Sequence, residues 1–123
     1  MAENTRTLLT AEALSGVTGL EPTIVHPDHA LGNEIVNIPR GNVFIRATNN
    51  EAVPITATAL VTKTVAEDGE ALVVESPIIT LAAGESWIIG PWSANFEVGG
   101  KVEIDWGSMT SDANVDLEVL KNA

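Results

Sequence analysis

The sequence has no cysteine and no tyrosine, only three Trp and two Phe, and six Lys and Arg against 17 Asp and Glu. Without cysteine there is no thiolate nucleophile, no CxxC redox pair and no cysteine zinc knuckle. The six cations, Arg6, Arg40, Arg46, Lys63, Lys101 and Lys121, are scattered along a chain of net charge −11. That distribution lacks the basic footprint a DNA or RNA binder needs, so no nucleic-acid partner is expected. The uncharged run from Ser76 to Gly84 contains Pro77 and is about half the length a bilayer span requires, so no membrane partner is expected either. Residues 1–10 carry Glu3 and Arg6 and no apolar stretch. No signal peptide is expected, which implies synthesis in the cytoplasm.

What the chain does have is alternation. Its 123 residues suit one domain large enough to hold a core without staples. In 43–48, Val43, Ile45 and Ala47 share one face; in 53–62, Ile55, Ala57, Ala59 and Val61 oppose Thr56, Thr58 and Thr62. Val102, Ile104 and Trp106 alternate with Lys101, Glu103 and Asp105, and Val115, Leu117 and Val119 alternate with Asp116 and Glu118. A period of two marks strands with one wet face. Shorter β-rich runs at 72–74, 78–81 and 86–89 lie between turn signals such as 67–70, 82–85, 99–100 and 111–114. The pattern predicts an all-β, antiparallel sandwich or barrel of about seven strands. Residues 1–32 read instead as an extended N-terminal arm before a β-domain at 33–123, because Gly16, Gly19, Pro22 and Pro27 interrupt regular pairing.

The chemistry-bearing groups are sparse. His26 and His29 flank Pro27-Asp28, a spacing that matches no metal motif, and a solvated loop without metal is expected. Glu103, Asp105, Asp116 and Glu118 would line one face only if their strands paired; the expectation is a solvent face. No glycine-rich phosphate loop and no G-x-S-x-G elbow occurs, so neither a cofactor nor a catalytic residue is assigned and the chain does not read as an enzyme. Phe44 and Leu60 break the polar faces of their strands, and Trp87 and Trp92 flank Ile88-Ile89-Gly90-Pro91. These four are the expected oligomer interface, since an apolar break on a wet face often marks a contact. Trp87 and Trp92 also offer a stacking platform for a sugar.

The succession of Gly32-Asn33-Glu34, Pro39-Arg40-Gly41, the strand 43–48, the Asn49-Asn50 turn, the strand to Thr62 and 80–92, with its Ala83-Gly84 turn and Ile89-Gly90-Pro91 step, resembles a group of small tailed-phage structural proteins. The loop 93–96 and two closing amphipathic strands at 101–106 and 114–120 extend the likeness over about residues 32 to 121. The group is that of head decoration, or capsid cement, proteins. The resemblance implies a virion protein on the capsid exterior, binding the major capsid protein and itself as a homotrimer. It also implies a capsid-binding arm, whose apolar clusters here are Leu8, Leu9, Leu14, Ile24 and Val25. A tail or fibre-associated β-module and a carbohydrate-binding module are the alternatives.

Overall fold

The computed structural model describes residues 6–16, 18–61, 64–67, 70–73 and 76–122, the side chains of 62–75 excepted. The expected strand ends at Thr62 and Val74, and the Asp68-Gly69 turn, lie outside the described residues. The described residues form twelve strands: β1 (Thr7–Leu9), β2 (Glu12–Ala13), β3 (Asn33–Val36), β4 (Val43–Asn49), β5 (Ile55–Ala59), β6 (Thr64–Glu67), β7 (Glu70–Val73), β8 (Ile78–Leu81), β9 (Ser86–Ile89), β10 (Glu97–Val98), β11 (Lys101–Gly107) and β12 (Val115–Lys121). The first sheet runs β1-β3-β11-β5-β8, with β10 paired to β11; the second runs β2-β12-β4-β9. A separate hairpin, β6-β7, is inserted between β5 and β8. The fold is all-β and sandwich-like.

The two sheets face each other through the residues that the alternation marks. Val43, Ile45 and Ala47 of β4, Ile55, Ala57 and Ala59 of β5, Val102, Ile104 and Trp106 of β11 and Val115, Leu117 and Val119 of β12 all belong to one buried cluster. The opposite faces of these strands are mostly polar, with Phe44 and Leu120 as the apolar exceptions, paired with each other on the outer face of the second sheet. On the outer face of the second sheet, Arg46 pairs with Glu118 and Thr48 with Asp116.

The N-terminal segment departs from expectation. Residues 7–13 do not form a detached arm: β1 pairs in parallel with β3, and β2 pairs in parallel with β12, so the chain crosses from one sheet to the other between Leu9 and Glu12. Both sheets are therefore mixed rather than purely antiparallel. Leu9 is only 5% exposed within the core, and Val25, bridged to Leu117 by two backbone hydrogen bonds, packs against it. The boundary expected at residue 32 thus divides no free arm from a domain. Prolines and glycines did break the pattern, but two- and three-residue strands need no regular pattern of their own.

Asn33, fully buried, joins these parts. Its Nδ2 donates to the Thr7 carbonyl at 3.1 Å; its Oδ1 accepts from the Trp106 indole at 2.8 Å and from the Asp28 amide at 2.9 Å. Arg6 reinforces the crossing from outside, with Nη1 2.7 Å from Asp105 Oδ1 and Nε 3.2 Å from Glu103 Oε2. Gly32 makes room for that guanidinium. With φ of 78°, a Cβ there would sit 2.3 Å from Arg6 Nη1 and 2.9 Å from the Ile104 carbonyl. Glycine is the residue that tolerates both the backbone angle and the approach.

Leu9→Ala is expected to cost about 2–5 kcal/mol, as a truncated core leucine does. Asn33→Ala leaves the buried Trp106 indole without its acceptor and removes two part-buried hydrogen bonds, and is expected to cost about 3 kcal/mol. Urea titrations of the two variants check both values. Removal of residues 2–13 is expected to lower the melting temperature sharply; an unchanged midpoint would show that the crossing segment is dispensable to the sandwich.

Candidate functional site

β8 and β9 follow each other in the chain and end their respective sheets, leaving one unpaired edge on each. The turn between them is built locally. Gly84 takes φ of 80° and its amide donates to the Asn49 carbonyl, while Glu85 Oε1 accepts from the Ala82 amide at 2.9 Å and from the Trp87 indole at 3.2 Å. Those two donors, the amide foremost, hold the Glu85 carboxyl below its ordinary range.

The side chains of this edge are unusual for their position. β8 is Ile-Ile-Thr-Leu and β9 is Ser-Trp-Ile-Ile, with no charge in either. Ile78 is 68% exposed, Ile88 57% and Trp87 42%. Register explains each. Ile78 lies opposite Thr58 on the outer face of the first sheet, and Ile88 opposite Arg46 on the outer face of the second. Trp87 lies opposite buried Ala47, on the core side of β9, yet remains open because β9 is the last strand. Isolated edges are normally blunted by lysine or other charges, and a charge-poor apolar edge is a template for another chain. Pro77 and Pro91, one residue before β8 and two after β9, limit how far such pairing can extend.

The expected interface residues are divided by the structure. Trp87 is exposed, and Phe44 and Leu60 are half-buried, Phe44 facing outward opposite Leu120. Trp92 is a correction: it is 3% exposed in the core, its carbonyl accepting from Asn37 Nδ2 at 3.0 Å. Its burial also removes the two-tryptophan sugar platform. Among the expected arm contacts, Leu8 and Ile24 are exposed and Leu14 half-buried, whereas Leu9 and Val25 are corrected to core packing. Ile78 and Ile88 were not singled out from the sequence. Their signal was present in the short uncharged runs beside prolines, but which strands are terminal is a property of topology.

The remaining candidates are occupied structurally. Glu103 and Asp105 lie on β11 in the first sheet, Asp116 and Glu118 on β12 in the second, so the four carboxylates occupy opposite outer faces and do not converge. His26 Nδ1 lies 2.8 Å from the Val115 carbonyl, and the His29 ring and amide both meet Asp112 Oδ1. Among the described residues no group of three His, Cys, Asp or Glu is arranged around a metal position. No protein-family model, no curated protein and no solved structure matches the chain.

Several carboxylates are held below their ordinary range by local donors. The Thr7 hydroxyl, then the Leu31 amide, lowers Asp28; the Thr110 amide lowers Glu51; the Arg40 guanidinium lowers Glu97; the His29 amide and then its ring lower Asp112. A carboxyl depressed by folding adds stability above its unfolded pKa of about 4, and that stability is lost as pH falls through the folded value. The urea midpoint is therefore expected to stay level from about pH 7 to about pH 5 and to fall below about pH 4. Asp112→Asn should flatten part of that fall, and a midpoint equal at pH 7 and pH 3 would contradict the assignment.

Proposed function

We propose that the chain is a structural virion protein: a capsid decoration, or cement, protein that binds the outside of a phage head and associates with itself as a homotrimer. The observation that carries the reading is the pair of uncharged edge strands, β8 and β9, on a chain of net charge −11. Charge of one sign keeps copies apart at long range, so self-association needs an apolar contact of this kind. The resemblance over about residues 32 to 121 supplies the identity of the particle, and the sandwich supplies a rigid body that presents the edge. The mechanism is linkage. A protein that binds only the assembled shell stabilises it by its binding free energy at each site, and repetition over the lattice multiplies a modest affinity. No catalytic residue, metal or cofactor enters this reading.

Antibody raised against the purified chain and coupled to gold should decorate the heads of particles from lysates of cells carrying the gene. Label on tails alone would make it a tail or fibre module, and unlabelled particles would overturn the virion assignment. In light scattering at micromolar concentration the full chain should show the mass of a trimer. Trp87→Ser with Ile88→Ser should shift the mass toward monomer while the far-ultraviolet circular dichroism stays unchanged. An unaltered trimer would place the contact elsewhere.

A further inference from the structure

The crossing segment is tethered with more chain than its position requires. Leu14 donates its amide to the Lys121 carbonyl, and Val25 exchanges two hydrogen bonds with Leu117, so both ends of the connection sit on the same edge of β12 four residues apart. At the rise of a strand that separation is about 13 Å. The connection from Leu14 to Val25 reaches about 35 Å when extended. Its described residues are mostly exposed, and a Cβ at Gly16 or Gly19 would meet nothing within 4 Å. The far anchor is firm: Val25, His26, Asp28 and His29 are all bonded to β12, to Asn33 or to Asp112.

The paired stretch itself is short. β1 and β2 are three and two residues long and hold only outer edges of their sheets. Two clefts, of about 380 and 310 Å³, flank Thr10 where the chain passes between them. One is lined by Leu8, Leu9 and Val25, the other by Ala11, Val36 and Ile38. Residues 6–13 are thus a short strand ligand in a groove built by the rest of the chain, on a leash more than twice as long as the gap it spans.

We propose that this segment exchanges between copies: residues 6–13 of one copy occupy the groove between β3 and β12 of a second. Groove and segment are identical in every copy, so the pairing formed between copies matches the pairing broken within each, and the balance is set by the leash and by concentration. Crowding of copies favours the exchanged form, and dilution favours the closed one. Exchange of this kind requires no particular location of the protein in a particle.

The absence of cysteine makes the test clean. Leu8 and Glu34 are cross-strand partners between β1 and β3, at the spacing a disulfide accepts, and Leu8 is exposed. Full-length Leu8→Cys and Glu34→Cys, carrying tags of different mass, are mixed at about millimolar concentration, oxidised and separated without reductant. Disulfide-linked heterodimers joining the two tags are expected, at least about tenfold more abundant than at micromolar concentration. Deleting residues 15–18 leaves enough chain to close within one copy but shortens the reach. It should reduce the heterodimer several-fold while the double variant Leu8→Cys/Glu34→Cys still closes internally. No heterodimer at millimolar concentration would overturn the exchange, and an undiminished heterodimer in the shortened chain would overturn the leash as its basis.

Discussion

The amide of Asn33 is the interaction on which the rest of the structure depends. One buried side chain holds the N-terminal strand through Thr7, the loop through Asp28 and the central strand β11 through Trp106. A buried amide left short of partners costs more than it contributes when satisfied, so these elements are fixed together or not at all. Around it the fold closes in order: Leu9 enters the core, Arg6 spans the outer face to Glu103 and Asp105, and the chain turns into the second sheet at β2. The sandwich is consequently sealed on the side of β1 and β2 and left open on the side of β8 and β9.

The two sides differ in how they place their apolar residues. On the side of β1 and β2, Leu9, Ala11 and Val25 pack on the core while Leu8 and Ile24 stay exposed. The open side keeps Ile78, Trp87 and Ile88 in solvent without a neighbouring charge on either strand. Most of the described cations are already engaged: Arg6 with Glu103 and Asp105, Arg40 with Glu97, Arg46 with Glu118 and Lys101 with Glu34. In the proposed self-association, contact through this edge rests on desolvation of apolar surface and on backbone pairing, and salt, by screening the repulsion of a net charge of −11, should favour it.

The sequence was legible where periodicity and burial coincide. Val102-Ile104-Trp106 and Val115-Leu117-Val119 declared both their strands and their inward faces, because a single core must be fed by one side of each strand. It was not legible where pairing is short or parallel. Nothing in Thr7-Leu8-Leu9 announces a parallel partner at Asn33 to Ile35, since the ladder is three residues long and its partner lies 26 positions away. Trp92 illustrates the remaining difficulty. From the sequence Trp92, after Gly90-Pro91, reads as an interface residue, whereas the structure buries it in the core beside Asn37. The exposed tryptophan and the buried one are five residues apart and indistinguishable by composition.

The central claim is that the N-terminal segment is a strand of both sheets rather than an appendage. Amide hydrogen exchange read residue by residue by NMR on the full chain tests it directly. The amides of Thr7, Leu14 and Val25, which donate to Gly32, Lys121 and Leu117, should exchange on the timescale of the core amides of β4 and β12. Exchange of those three amides at unstructured rates, with β4 and β12 still protected, would contradict the account.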